Sequence, residues 1–404
     1  FLYSAAEYHR WTGDIATIQQ LWPSIEAAYG WCVRAQESGV DGFLSYARES
    51  AAGLENQGWK DSHDAIVWPD GRLVEPPIAL VEVQAYLIAA CLGVAELARR
   101  MSSPLADDAA RRADLLRQRF HERYSHPELG FVLCLDGQGR PVPTPASNAG
   151  HALWTGVAEA EQARLVAARL LQKDLFSGWG VRTLSSRVGG FNPLGYHVGT
   201  VWPHDNALVL DGFRRYALDE RAEQLGTALF QMAQGFPDYR VPELFSGDDR
   251  ELRQVPTPYP VASRPQAWSA ASIPFVLISM LGIRPGPQGR MRIVRPMLPI
   301  GMGWVQLRNV QMGQGAADLT FRRTGRHISV EVENIRGGLE VVEHETKRTV
   351  LSVRLDEGFH NGPPQGPALY GIVGNGTRQG ALLEGNAQKL SQEIDDISHF
   401  SVAN

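Results

Sequence analysis

Apolar residues recur with a period near 3.6 from the start of the chain to Ile283, a pattern that predicts a mainly α-helical fold. The loops between several of these helices are longer than a helical bundle needs, and loops of that length are usually functional. We expect short strands such as Gly130–Leu135 inside them. The predicted helices span residues 2–10, 14–37, 77–102, 105–125, 148–156, 157–173, 202–217, 218–235 and 266–283.

The predicted helices are of two alternating kinds. Amphipathic helices rich in Arg, Glu and Gln, typical of an outer layer, begin at residues 14, 105, 157 and 218. Helices that are apolar or small-residue-rich nearly all round begin at residues 77, 148, 202 and 266, and we expect them to be buried on two sides. Repeated pairs of a buried and a solvated helix predict an (α/α)6 six-hairpin toroid.

A six-hairpin toroid needs twelve helices, and the pattern predicts nine. The chain also begins on Phe1, inside what reads as an inner helix. We therefore expect a toroid that is incomplete at its N-terminus, with residues 1–285 forming the part present. The alternative is that further helices escaped the pattern.

The pattern changes after Gly286. The segments MRIVRP, WVQLRNVQM, AADLTFRR and HISVEVENI alternate apolar and polar residues and are separated by Gly-containing turns. They predict a small antiparallel β unit over residues 286–345, packed on the helices because so few strands are unstable alone. Residues 346–404 are rich in Gly and Pro, and we expect a poorly ordered tail with a short helix near 386–396.

Composition narrows the class of partner. A net charge of -5 without a basic run argues against nucleic acid and against a membrane surface. The three cysteines show no metal-ligand spacing, so we expect free thiols, no metal, and a cytoplasmic protein. The apolar run from Ile78 to Ala98 contains Glu82, Gln84 and Glu96, which favours a core helix over a membrane span. Composition is silent on oligomeric state.

A polar and aromatic cluster precedes or opens each predicted inner helix. Because inner helices of a toroid run the same way, these clusters should face one pocket. Helix capping alone would explain Ser, Asn, Asp and Pro at one such position, but not repeated Trp and His. Indole faces suit stacking on sugar rings, although each Trp taken alone is more often a core residue. The indoles concerned are Trp59, Trp154, Trp179, Trp202 and Trp268.

The clusters resemble a known family. GLENQGWKDSHDAI, PIALVEVQAY, NAGHALWTG, FSGWGVRTLS, NPLGYHVGTVWPHDNAL, VPELFSG and PYPVASRPQAWSA are similar to successive blocks of glycogen-debranching-type glucosidase domains, especially bacterial amylo-α-1,6-glucosidases. The resemblance covers about residues 1 to 325 and implies an N-terminal β-sandwich and earlier toroid helices upstream. It departs from the family at His197-Val198-Gly199 and at Ser263-Arg264.

The resemblance implies an inverting glycoside hydrolase for an α-linked glucoside or oligosaccharide, without metal or organic cofactor. It assigns the general acid to Asp61, which we expect to be buried beside Trp59, and the general base to Glu243. Asp64, Glu82 and Asp205 are the next candidates for these roles. The residues expected to bind substrate are Trp59, Lys60, His63, Asp64, Glu82, Gln84, Asn148, His151, Trp179, His197, Trp202, His204, Asp205, Asn206, Arg264, Gln266 and Trp268.

Other readings of these residues stay open. Asp61 could cap a short helix, and Glu243 could be one of several loop acids. A sugar epimerase on the same toroid would use paired histidines, for which His197 and His204 are available. A catalytically silent carbohydrate-binding fragment is the alternative from a different functional class.

Overall fold

The computed structural model describes residues 1–344 and 351–353. Within them it contains nine α-helices, one at each predicted position. Asp14 starts the second helix by accepting a hydrogen bond from the backbone N–H of Thr17. The helices are α1 (Leu2–Thr12), α2 (Ile15–Glu37), α3 (Val81–Arg100), α4 (Leu105–Tyr124), α5 (Ala149–Trp154), α6 (Ala160–Leu170), α7 (Pro203–Arg215), α8 (Asp219–Gln234) and α9 (Ala267–Leu281).

The helices form two layers. In the inner layer α1, α3, α5, α7 and α9 contact one another in that order, and α2, α4, α6 and α8 pack outside them. Burial follows the prediction for α3, α5 and α7 but not fully for α9. The first turn of α9 leaves Ala267, Trp268 and Ala270 exposed, and only its C-terminal half is enclosed. Among the described helices, only α3 is apolar and long enough to cross a membrane, and 78% of that window is buried inside the protein, as in a core helix.

The long loops at one end of the helices have a hydrophobic core of their own. Short strands reinforce them: β1 (Ala79–Leu80), β2 (Ser125–His126), β3 (Gly130–Phe131), β4 (Cys134–Leu135) and β5 (Pro141–Val142). The strand expected over Gly130–Leu135 is thus present as two pieces. The core beneath these loops includes Ile66, Val74, Leu80, Val142, Leu184 and Val198. The loops are therefore folded parts of the protein that hold side chains in place.

The C-terminal part is a β unit, as predicted. Its strands are β6 (Ile283–Pro285), β7 (Met291–Val294), β8 (Trp304–Met312), β9 (Gly315–Thr324), β10 (His327–Arg336), β11 (Val341–His344) and β12 (Leu351–Val353). The β6–β7 hairpin and the β8–β10 meander are antiparallel, as predicted, whereas β11 pairs with β7 and β12 with β10 in parallel. The chain leaves the β6–β7 hairpin, forms the β8–β10 meander and then returns, which allows a parallel edge strand.

The β unit packs on the helices. Leu281 at the end of α9 belongs to the core of the β unit, and Trp11 and Phe230 pack against that core from α1 and α8. The buried guanidinium of Arg214 on α7 donates to the carbonyl of Ser279 in α9 at 3.1 Å and to that of Val294 in β7 at 2.8 Å. Arg214 therefore connects the helices to the β unit. Of the tail predicted over 346–404, including its helix near 386–396, all but Leu351–Val353 lies outside the described residues.

Candidate active site

Backbone pairing between loops brings the predicted clusters together. Val201 forms isolated β-bridges with Arg182 on one side and Phe245 on the other. The Val201–Phe245 bridge has two N–H···O bonds of 3.0 Å. Trp202 and Glu243 lie one and two residues from this bridge. The loop that opens α7 is therefore fixed beside the loop that carries Glu243.

Trp59 is the centre of an aromatic cluster. Its ring centroid lies 5.0 Å from that of His204, 5.5 Å from His197, 5.8 Å from Trp202 and 5.8 Å from His151. The cluster reaches the surface at Trp268, which is 39% exposed and stacks on His204 with centroids 3.9 Å apart. The polar clusters at the starts of α5, α7 and α9 thus converge on one site, as predicted.

A fully buried polar layer lies beneath these rings. Asn148 Nδ2 donates to Glu82 Oε1 at 2.9 Å, and His151 Nε2 donates to Asp205 Oδ1 at 2.7 Å. The hydroxyl of Tyr86 bonds the other ring nitrogen of His151. Burial raises the pKa of Glu82. Burial acts in the same direction on Asp205, but the hydrogen bond from His151 and the positive charges of His151, Lys60 and His204 together outweigh burial. They hold the pKa of Asp205 below its usual value.

Several buried polar atoms in this region have no hydrogen-bond partner in the described part of the protein. They include Trp59 Nε1, Glu82 Oε2, His204 Nδ1 and Asp205 Oδ2. Buried polar atoms in folded proteins are normally hydrogen-bonded, and exceptions concentrate at functional sites. Their grouping here is what a site for a polar ligand requires.

Lys60 is buried within the same layer. Its Nζ donates to the carbonyl of Thr183 at 2.5 Å and lies 5.2 Å from the ring centroid of Trp59. Burial lowers the pKa of Lys60 to about 8, although the negative charges of Asp205 and Glu82 act in the opposite direction. Because Lys60 directly precedes Asp61, its buried ammonium group anchors the turn that carries the predicted acid.

Asp61 itself differs from the expectation. Its side chain is 54% exposed, so the predicted burial beside Trp59 was wrong. The turn that carries Asp61 packs tightly against the start of α3. At Gly58 there is no room for a side chain, because a Cβ atom there would lie only 2.3 Å from Leu80 Cδ1. Trp59 and Lys60 occupy the space beneath, and Asp61 points outward. Its Oδ1 lies 3.9 Å from His197 Nδ1.

His197 and His204 are neutral at neutral pH. Burial lowers the pKa of His197 to about 3 and that of His204 to about 4. His197 Nδ1 lies 3.0 Å from Ser62 Oγ and accepts from the backbone N–H of Ser62 at 3.4 Å. The contact between His197 and Asp61 is therefore a neighbour contact and not an ion pair.

Glu243 is buried and accepts hydrogen bonds from three neighbours. Tyr196 Oη donates to its Oε1 at 2.9 Å, and Gln266 Nε2 donates to the same atom at 3.4 Å. The backbone N–H of Ser263 donates to Oε2 at 3.2 Å. Arg264, which follows Ser263, is exposed, and the hydrogen-bond partner of Glu82 is Asn148.

Three predicted binding residues serve the scaffold instead. The side-chain amide of Gln84 hydrogen-bonds the backbone N–H and carbonyl of Leu44. The side-chain amide of Asn206 likewise hydrogen-bonds both the backbone N–H and the carbonyl of Val181. Trp179 is buried under the guanidinium of Arg250, 4.2 Å from its ring centroid.

Two further predicted residues stand on the Asp61 loop. His63 is exposed, and Asp64 accepts from Ser62 Oγ at 2.9 Å. Tyr86 and Tyr196, which we had not assigned, do belong to the site. Tyr196 directly precedes His197, and Tyr86 lies one helical turn after Glu82 on α3. This proximity to an assigned residue is the only sequence signal that could have identified either tyrosine. Among the described residues, no three His, Cys, Asp or Glu side chains form a group able to hold a metal ion.

Comparison with known proteins identifies a family. Residues 2–269 match the family model described as mannosylglycerate hydrolase MGH1-like glycoside hydrolase domain. A curated mannosylglycerate hydrolase from Rubrobacter radiotolerans is 30% identical over 168 residues, which are 39% of this chain and 37% of that protein.

Two solved structures are similar in fold. The GH78 family rhamnosidase of Bacillus sp. GL1 is 16% identical with a TM-score of 0.62, and the match covers 89% of this chain and 34% of that one. A sialidase is 13% identical with a TM-score of 0.61, covering 82% of this chain and 31% of the other. The match spans about a third of the length of each of these three proteins.

Proposed function

The chain belongs to the mannosylglycerate hydrolase MGH1-like glycoside hydrolase family, and we propose that it is an inverting glycoside hydrolase. Asp61 is the proposed general acid and Glu243 the proposed general base. No metal or organic cofactor is part of this proposal.

The observation that carries the proposal is the relation of both carboxyl groups to Tyr196. Glu243 accepts the hydrogen bond of the phenol, and Asp61 lies at the neighbouring His197 ring, whose centroid is 4.7 Å from that of Tyr196. Burial, Glu243 and Asp61 all raise the pKa of Tyr196, so both carboxyl groups act on one side chain. Two acids at one aromatic-lined site are the arrangement that glycosidic cleavage needs.

The two carboxyl groups have different surroundings, which supports different roles. In an inverting reaction the carboxyls stand roughly 6.5–9.5 Å apart, so that a water fits between the base and the anomeric carbon. Glu243 takes a proton from this water as its oxygen attacks that carbon. The bond to the leaving oxygen breaks as Asp61 delivers its proton to that oxygen. Asp61 at the exposed rim is suited to a leaving group that departs into solvent, and buried Glu243 to a sequestered water.

The substrate class we propose is an α-linked glucoside, as the resemblance to amylo-α-1,6-glucosidases implies. The name of the Rubrobacter radiotolerans relative favours a second candidate, a mannoside of glycerate. In both cases Trp268 and Trp59 are the proposed platforms for sugar rings.

We also propose that the helices belong to an (α/α)6 toroid. The successive contacts of α1, α3, α5, α7 and α9, each separated in sequence by an outer helix or a long loop, support this arrangement.

The test is hydrolysis by the purified chain of isomaltose, maltose, glucosylglycerate and mannosylglycerate. Asp61→Asn and Glu243→Gln should each lower kcat by about 100-fold or more while sugar binding persists. Asp70→Asn, an exposed loop acid paired with Arg72, is the matched control and should keep full activity. NMR of the first-formed product should show the anomer opposite to that of the substrate.

Two outcomes would overturn the proposal. Epimerisation that survives both substitutions would favour the histidine-based alternative, which His197 and His204 would have to perform as neutral groups. Sugar binding without turnover by the parent chain, on every substrate of the panel, would favour the carbohydrate-binding alternative.

A further inference from the structure

Tyr196 holds a position that the reaction scheme above does not use. Its hydroxyl donates to Glu243 Oε1 at 2.9 Å, the shortest of the three hydrogen bonds that this carboxyl group accepts. An ionised carboxyl group accepts hydrogen bonds on both oxygens, and the three donors reach both oxygens of Glu243. They therefore fix the orientation of this carboxyl group, as a general base requires.

The backbone and ring of Tyr196 are held firmly. Its carbonyl accepts from Trp202 Nε1 at 2.9 Å and from Thr200 Oγ1 at 2.6 Å. Its ring meets those of His197 and Trp202 edge-on, with centroids 4.7 and 4.9 Å apart. The phenol consequently has little freedom to leave Glu243.

The phenol also keeps its proton. Burial and the negative charges of Glu243 and Asp61 raise the pKa of Tyr196, so its O–H remains a donor throughout the pH range in which enzymes work. Gln266, by contrast, reaches the same oxygen at 3.4 Å and is partly exposed. Tyr196 is thus the neighbour whose loss should change Glu243 most.

We infer that Tyr196 is a positioning residue that keeps Glu243 aimed at the attacking water. This inference rests on the proposed function, because it takes Glu243 as the base. Tyr196 transfers no proton in this scheme. Its effect is on the orientation of the carboxylate.

The experiment compares Tyr196→Phe with the parent chain over the pH range of activity. Removal of one hydrogen bond to a charged group should lower kcat by about 10- to 100-fold while KM changes by less than about threefold. Phe keeps the ring and its packing, so the Tm should stay close to that of the parent and the loss should fall on kcat. Tyr216→Phe, which removes a hydroxyl bonded to the Ala158 carbonyl, is the matched control.

Glu243→Gln, measured in parallel, separates the two claims. If it abolishes turnover while Tyr196→Phe keeps the parent pH profile and kcat, only the inference about Tyr196 is wrong. A loss of kcat in Tyr196→Phe that comes with a matching rise in KM or with a lowered Tm would indicate a merely structural role and would also overturn it. If Glu243→Gln retains hydrolysis, the assignment of the base is wrong and the inference is refuted with it.

Discussion

Replacement of Lys60 by Met tests the buried charge beneath the site. Met has a similar unbranched apolar stem, so the change removes the ammonium group while it keeps most of the packing. In the parent, the Nζ atom of Lys60 donates a hydrogen bond to the Thr183 carbonyl and lies over the ring of Trp59. The negative charges of Asp205 and Glu82 also act on it. The question is whether burial or these carboxyl groups dominate the ionisation of the lysine.

The structure gives the sign and the size of the effect. The pKa of Lys60 falls from 10.5 to about 8 on folding. Between these two pH values the unfolded chain holds a proton that the folded chain has released, so the free energy of unfolding rises with pH in this window. At about 1.36 kcal/mol for each pKa unit, this difference of about 2.5 raises the free energy of unfolding by roughly 3 kcal/mol across the window.

The assay is denaturant unfolding of parent and Lys60→Met at several pH values between 7 and 10.5. Subtracting the variant's free energy of unfolding from the parent's removes the titration of groups common to both. This difference should rise by about 3 kcal/mol in favour of the parent as the pH increases through the window. Lys173→Met is the matched control, because Lys173 is exposed and paired with Glu251, and its difference should show no comparable rise.

Two results would refute the reasoning. A difference that stays flat from pH 7 to 10.5 would mean that folding leaves the pKa of Lys60 unchanged. A difference that falls with increasing pH would mean that Glu82 and Asp205 stabilise the ammonium group by more than its burial destabilises it. In that case the layer would be held together by a strong buried ion-pair network.

Three further changes test other parts of the structure. Folding lowers the pKa of His197 from 6.5 to about 3. The free energy of unfolding of the parent should therefore fall by up to about 3 kcal/mol as the pH decreases from 6.5 to 4, because the unfolded chain takes up a proton that the folded chain does not. His197→Asn should lose less in the same series of denaturant unfolding measurements. Arg214→Met removes the side-chain donor to the Ser279 and Val294 carbonyls and should lower the free energy of denaturant unfolding by about 2–4 kcal/mol. Unchanged stability would contradict the role of Arg214 between the helices and the β unit. Trp268→Ala should raise KM about 3- to 10-fold in steady-state kinetics and leave Tm nearly unchanged, because the ring is partly exposed.

The helices were predictable because their signal is local and strong. The 3.6-residue period and the capping residues gave all nine positions, and period-2 alternation gave the long β-strands. The parallel edge strands β11 and β12 were not predictable in this way. Their pairing depends on partners far away in the sequence, and no local pattern distinguishes a parallel from an antiparallel neighbour.

The site was predictable at the level of clusters and less so at the level of individual side chains. Glu82 and Gln84 stand two residues apart on α3, which turns them about 200° from each other around the helix. Glu82 consequently meets Asn148 in the polar layer, while Gln84 meets the backbone of Leu44. A polar residue at a helix start can face the ligand or a neighbouring loop, and the choice depends on how the long loops fold.

The exposure of Asp61 follows from the same packing. Trp59 and Lys60 fill the space beneath the turn, so Asp61 is left at the surface. The buried ammonium group of Lys60 interacts favourably with the negative charges of Asp205 and Glu82, whereas burying the aspartate would have added a third acid to that layer. The turn therefore directs Asp61 to the rim, where water can reach it and a leaving group can depart. Glu243, held by Tyr196, Ser263 and Gln266, remains inside. The different surroundings of the two carboxyl groups, on which their proposed roles as acid and base rest, thus follow from how the buried charges are balanced.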